Sequence, residues 1–230
     1  MICKGPVRAV SFDMDGTLVE HVGVARAVSA FLEGKGVSVA PSDVERALVA
    51  IDRLVPEEFA SRPEEYYLEL NRVILRAVGA YERGWEKELL DFWFSPGNFR
   101  VSEGAREALT LLRGAGLILA VVSNNLHREV ESVLEGIGLL EFFDAVFTPD
   151  VVGAFKPSPL VFIRVAESLG VKESELLHVG DSLEEDYGAA VAAGAQAVLL
   201  AKEPVDVPHV NSLRELAHEV LKCLSRWSGS

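Results

Sequence analysis

The chain has 230 residues, 49% hydrophobic and 25% charged, a composition that fits one large globular domain or a core domain with a smaller insertion. Lys and Arg number 22 against 35 Asp and Glu, a net charge of −13, which argues against a nucleic-acid backbone or an anionic membrane surface as main partner. Any anionic ligand would need local positive charge or a metal. Cys3 and Cys223 stand near opposite ends of the chain and have neither the look of a disulfide framework nor zinc-site spacing. No apolar run approaches the ~20 residues of a membrane helix, and Lys4 and Arg8 interrupt the start of the chain where a signal peptide would be apolar. The expectation is a cytoplasmic protein with reduced thiols.

The first strand is expected at Val7–Phe12, an apolar run. From about Val19 the pattern becomes helical. Val24, Val28, Phe31 and Leu32 mark one amphipathic helix, and Val44, Ala47, Leu48, Ile51 and Leu54 a second. Tyr66, Leu70, Val73 and Ala77 mark a third; Trp85, Leu89, Phe92 and Trp93 a fourth. No strand is evident in this stretch, which ends at the turn signal Ser95-Pro96-Gly97-Asn98. From Val101 onward apolar runs alternate with helical periodicity, the pattern of a parallel sheet. The runs are Leu117–Val122, Ala145–Phe147, Leu176–Val179 and Ala197–Leu200. The expected fold class is therefore α/β, a Rossmann-like parallel sheet core with an inserted all-helical domain. The core is expected over residues 1–18 and 98–230, and the insertion over 19–97.

Four polar clusters fall at the C-terminal ends of the strands or beside helix starts, where open parallel sheets bind ligands. Asp13-Met14-Asp15-Gly16-Thr17 follows the first strand, and its two carboxylates at i and i+2 point the same way on extended chain. Such oxygen ligands suit Mg²⁺. Ser123-Asn124 ends the second run and offers a hydroxyl and backbone N–H groups for a phosphoryl oxygen. Lys156 lies in Phe155-Lys156-Pro157, and Gly180-Asp181-Ser182 is followed by Asp186. Taken singly, these read as caps, turns and a solvated lysine; all four at one sheet edge are hard to explain so. Like charges ~4 Å apart cost ~4 kcal/mol at an effective dielectric of ~20. Four acids in one crevice must stay partly protonated or bind cations, and one Mg²⁺ with Lys156 nearly balances them.

These motifs, in this order, resemble the four signatures of the haloacid dehalogenase-like (HAD) hydrolase superfamily, in the phosphatase branch whose helical cap follows the first motif. The resemblance spans Val7 to about Gly194. It implies Asp13 as nucleophile, Asp15 as general acid and base, and Mg²⁺ held by Asp13, the Asp15 carbonyl and Asp181, with Asp186 in support. It also implies that Ser123, Lys156 and the Met14 and Asn124 N–H groups hold the phosphoryl oxygens. Dehalogenases of the superfamily lack the second aspartate, since expelling halide needs no proton donor; Asp15 therefore favours phosphate ester hydrolysis. Phosphonatases need a cap lysine, and the insertion offers only Lys35 and Lys87.

The expected substrate is a small phosphorylated metabolite of the phosphoglycolate, glyceraldehyde 3-phosphate or sugar phosphate type, and the chain is expected as monomer or homodimer. A sugar-phosphate mutase and a non-catalytic phosphate-binding module are the competing readings. Within the insertion, Tyr66, Tyr67, Trp85, Phe92, Trp93 and Phe94 read first as packed core and second as pocket lining. His21, Arg53 and Arg62 are the polar candidates for touching the leaving group.

Overall fold

The computed structural model describes residues 2–51 and 63–227. Two compact units result: Met1–Glu20 with Val101–Ser230, and His21–Arg100.

The first unit is built on a parallel six-stranded sheet in the order β5-β4-β1-β6-β7-β8. Its strands are β1 (Ala9–Phe12), β4 (Ile118–Val122), β5 (Ala145–Phe147), β6 (Leu176–Gly180), β7 (Gln196–Leu200) and β8 (His209–Val210). Both faces are covered, so β1 and β6 are buried along their whole length and read as near-continuous apolar runs. Alternation still decides which helix each residue meets. Ala9, Ala120, Val122 and Leu176 share a cluster with Val161, Phe162, Val165 and Ala166 of α8 (Leu160–Leu169). Gly170 ends α8 in the left-handed region at φ 66°, the conformation glycine adopts without steric cost. The C-terminal helix α10 (Leu213–Trp227) buries Leu213, Leu216, Ala217, Val220 and Cys223. At its start Ser212 Oγ accepts from the Glu215 N–H (3.2 Å) and Glu215 reaches back to the Asn211 N–H (2.8 Å).

The expectation of two free thiols is overturned. Cys3 and Cys223 are disulfide-bonded, their Cα atoms 6.1 Å apart. Their wide separation in sequence hid the pairing: the segment before β1 and the last helix meet only through the fold. The expected reduced setting thus loses its footing in free thiols. Among the described residues no helix is long and apolar enough to cross a membrane.

The second unit packs α1 (Val24–Gly34), α2 (Pro41–Ile51), α3 (Pro63–Ala77) and α4 (Trp85–Trp93) around Val28, Leu32, Val44, Ile74, Leu75 and Leu89. Trp85, Phe92 and Trp93 pack against this cluster, and Phe31 meets Trp85 and Phe92 edge-on at 6.0 and 5.8 Å. Tyr66, Tyr67, Phe94 and Phe99 continue as a chain of ring contacts. The aromatic residues are therefore packing groups of this unit. Lys35 pairs with Glu88 and lies over the Phe31 and Trp85 rings, while Lys87 is exposed. Leu54, Arg53 and Arg62 lie outside the described residues.

The expectation of no strand in 19–97 needs correction. A short ribbon pairs β2 (Val19–His21) with β3 (Phe99–Val101), where the chain leaves and re-enters the first unit. Unlike the apolar Ala145–Phe147, these two segments each carry a charged residue at their centre, Glu20 and Arg100, and leave no apolar run to read; they are also about 80 residues apart in sequence.

Cross-linking residues 220 apart in sequence restricts the unfolded chain strongly, by up to about 5 kcal/mol in the chain-entropy picture. Reductant, or Cys3→Ser, is expected to lower the midpoint of thermal unfolding by several degrees. A midpoint unchanged by either would contradict that.

Candidate active site

Strand order and register bring the motifs together. β1 lies between β4 and β6, with Phe12 level with Val121 and Val179. The Asp13 N–H still donates to the Val179 carbonyl (2.8 Å), so the first aspartate leaves the sheet beside Gly180-Asp181 and close to Ser123. A cavity of about 190 Å³ results, lined by Asp13, Asp15, Ser123, Asn124, Lys156, Asp181 and Asp186. All seven residues expected from the sequence line it, together with Asn125, Ser182 and Glu185. A larger cavity of about 420 Å³ shares only Asp181 with this lining, and Gly16 is the one other residue of the four motifs that it touches.

Two glycines make room for the carboxylates. Gly16 sits at φ 82°, and a Cβ there would overlap the Asp181 carboxylate. A Cβ on Gly180 would overlap Asp186.

Lys156 is the buried cation at the centre. Its Nζ donates to Asp13 Oδ1 (2.7 Å) and Asp186 Oδ1 (2.6 Å), and its side chain is 2% exposed. Burial opposes its charge, but Asp13 and Asp186 outweigh burial and raise its pKa, so it stays an ammonium. Asn124 holds the backbone of this lysine: its Oδ1 accepts from the Lys156 N–H (2.8 Å) and its Nδ2 donates to the Lys156 carbonyl (3.0 Å). The Asn124 side chain is thus committed to the lysine loop, which leaves its N–H as the group expected to face a ligand. Ser123 Oγ accepts from the Asn125 N–H (3.2 Å).

Asp186 is fully engaged. Its Oδ1 accepts from Lys156 and lies 3.2 Å from His178 Nε2, and its Oδ2 accepts from the Ser182 N–H (3.0 Å). Burial would raise its pKa, but His178 and Lys156 together hold it far below the usual carboxylate range. The other acids go the opposite way. Burial, with Asp186 nearby, raises Asp13 despite Lys156. Burial pushes Asp15 up to about 6, although Asn125 Nδ2 donates to its Oδ2 at 2.5 Å. Burial and Asp186 also raise Asp181.

These features test whether a metal fits. Carboxylate oxygens of Asp13, Asp181 and Asp186 all lie within 4.8 Å of one another. Since both oxygens of Asp186 already accept, Asp13 and Asp181 are the carboxylates with oxygen to offer. The donor set is purely oxygen, and Asp13 and Asp181 are both raised, by burial first and then by the neighbouring Asp186 charge, which a bound cation would offset. A hard divalent cation fits that set.

Sequence reasoning missed Asn125, Glu185, His178 and Ser11, and gave Ser182, part of the fourth cluster, no role of its own. Glu185 had a usable signal, an acid beside Asp186 in the fourth motif, and Asn124 Nδ2 donates to it at 3.3 Å. Asn125 carried none beyond its place after Ser123-Asn124. His21 sits in the second unit, beside the Phe99 ring (4.9 Å) and accepting from the Gly23 N–H (3.0 Å).

The acids and the buried lysine thus meet at the C-terminal edge of a parallel sheet, where open α/β sheets bind their ligands. The haloacid dehalogenase-like hydrolase model matches residues 7–194, and the chain belongs to that family. It is 31% identical to a phosphoglycolate phosphatase of Nitrosospira multiformis over 83% of this chain and 81% of that one. Against a phosphoglycolate phosphatase of Chromobacterium violaceum the identity is 30%, over 91% and 95%. With the bovine haloacid dehalogenase-like hydrolase domain-containing protein 3 it shares 38% over 63% of this chain, and it spans 59% of that protein's length. Among solved structures it resembles a HAD phosphatase of Thermococcus onnurineus, with TM-score 0.67 and 26% identity over 93% and 98% of the two chains. The defluorinating L-2-haloacid dehalogenase Rha0230 has the same fold, with TM-score 0.77 at 21% identity over 94% and 95%.

The raised carboxyl pKa values have a sign for stability. Between about pH 4 and pH 6 the metal-free folded chain binds more protons than the unfolded chain at Asp13 and Asp15, so their contribution to stability falls as pH rises. A divalent cation offsets that loss. Thermal melts should show Mg²⁺ raising the midpoint at pH 7.5, a much smaller effect at pH 5, and none in Asp181→Asn. Equal shifts at both pH values would contradict the assignment.

Proposed function

We propose that the chain is a Mg²⁺-dependent phosphomonoesterase acting on small phosphate esters of the phosphoglycolate or sugar phosphate type. The observation that carries this reading is the pairing of Asp13 with a second, separately held aspartate, Asp15. Asp13 sits beside Lys156 in a buried site and serves as the nucleophile. Its attack on phosphorus forms an aspartyl-phosphate and breaks the ester bond. Asp15 gives a proton to the leaving alkoxide. A carboxyl with pKa about 6 is well placed for that and, once ionised, for drawing a proton from the water that cleaves the phosphoenzyme. Asn125 fixes the direction of that carboxyl. A halide leaves without a proton, so carbon–halogen cleavage has no use for a residue held in this way.

Lys156, the Ser123 hydroxyl and the Met14 and Asn124 N–H groups hold the equatorial phosphoryl oxygens, where negative charge must be met in the transition state. Asp13, the Asp15 carbonyl and Asp181 would hold a divalent cation, whose positive charge would let an anionic ester approach an anionic nucleophile. Two relatives named phosphoglycolate phosphatase, each similar over more than four-fifths of this chain, support the substrate class.

The test is direct. Purified protein with Mg²⁺ should release inorganic phosphate from p-nitrophenyl phosphate and from a panel including phosphoglycolate, and chelator should stop it. Asp13→Asn should lose at least ~10³-fold in kcat while still folding, as expected when a covalent nucleophile is removed. Halide release from 2-haloacids without phosphate release, or near-normal turnover by Asp13→Asn, would refute the reading. An isomeric phosphate ester in place of free phosphate would identify a mutase.

A further inference from the structure

Beneath the cavity lie two polar side chains that do not line it. Ser11 and His178 are register partners on β1 and β6, and both are fully buried in strands that are otherwise apolar. Ser11 Oγ is 2.9 Å from His178 Nδ1, and His178 Nε2 is 3.2 Å from Asp186 Oδ1. The imidazole packs against Phe162 of α8 with ring centres 4.5 Å apart. An ionised carboxylate only accepts, so Nε2 carries the hydrogen; Nδ1 is then bare and accepts from the Ser11 hydroxyl. Placing such groups in a core carries the full cost of desolvation unless they are bonded. Here each bond leads towards the site: from Ser11 to His178, to Asp186, to Lys156, to Asp13.

We propose that Ser11 and His178 form a positioning relay, in which the Ser11 hydroxyl fixes the imidazole and the imidazole fixes Asp186 Oδ1, so that Lys156 is shared between Asp186 and Asp13 rather than held by Asp13 alone. The proposal rests on the phosphomonoesterase reading. Its kinetic consequence follows from the geometry. Lys156 has three N–H donors; two go to Asp13 and Asp186, and the third remains for a phosphoryl oxygen. If Asp186 turns away, the ammonium moves towards Asp13. The nucleophile is then more tightly covered and the third donor is misdirected. Lys156 still supplies positive charge for ground-state binding, so the loss falls on kcat and not on KM.

His178→Phe keeps the packing against Phe162 and removes the donor. Its kcat for p-nitrophenyl phosphate is expected to fall by about 10-fold or more, the scale seen when groups that orient functional side chains are lost. KM and the Mg²⁺ concentration for half-maximal rate should stay within about two-fold. His178→Gln offers an amide donor to Asp186 and an acceptor to Ser11, and should recover most of the lost kcat. Should His178→Phe fail to fold, Ser11→Ala against Ser11→Thr decides: the alanine variant should lose about three-fold in kcat and the threonine variant should not.

A purely structural role would lower the melting midpoint while leaving kcat per folded molecule unchanged. That result, or a His178→Gln variant no better than His178→Phe at equal stability, overturns the relay. Wild-type protein that turns over no phosphate ester defeats the phosphomonoesterase reading and the relay with it. Active wild type with kinetically silent variants defeats the relay alone.

Discussion

Negative charge forced together is the constraint on which this structure turns. Four aspartates reach one crevice at the edge of a buried sheet, and two of them, Asp13 and Asp186, are buried where water screens them poorly. Lys156 neutralises part of that charge, and it does so unevenly. Asp186 receives three donors and is held ionised, whereas Asp13 and Asp181 are left with raised pKa values. The imbalance is useful. It leaves Asp13 and Asp181 with oxygen for a cation, and it keeps the lysine charged where an anionic ester would arrive.

The sheet order creates that crevice. With β1 in the interior and chain crossovers running to β4 on one side and β6 on the other, the segments after these three strands cannot avoid one another. Two glycines then permit approaches that any side chain would block, Gly16 against Asp181 and Gly180 against Asp186. Asn124 contributes less visibly. By bonding both backbone groups of Lys156, it pins a loop that belongs to no strand.

What was legible in the sequence followed physical signal strength. Leu117–Val122 is an unbroken apolar run and Val7–Phe12 a mostly apolar one, each followed by a polar cluster, so the strands and the polar residues at their ends could be read together. The two-residue β8 and three-residue β2 and β3 carry no comparable pattern, since their pairing is decided by partners remote in sequence. The Cys3–Cys223 bond is hidden for the same reason. Asn124 was legible as a site residue, but the role of its side chain was not, because a loop anchor has no periodicity. Ser11 and His178 did leave a trace, a single polar residue breaking each of two apolar strands. In strands so fully buried, such a residue must find a partner, and the partner lies in the site.

One divalent cation joining residues from Asp13 to Asp181 is the central claim. Crystals grown with Mn²⁺ in place of Mg²⁺ test it most directly through anomalous scattering. A single strong peak is predicted, in contact with the Asp13 and Asp181 carboxylates and the Asp15 carbonyl. Density elsewhere, or no peak at a saturating concentration, would contradict it.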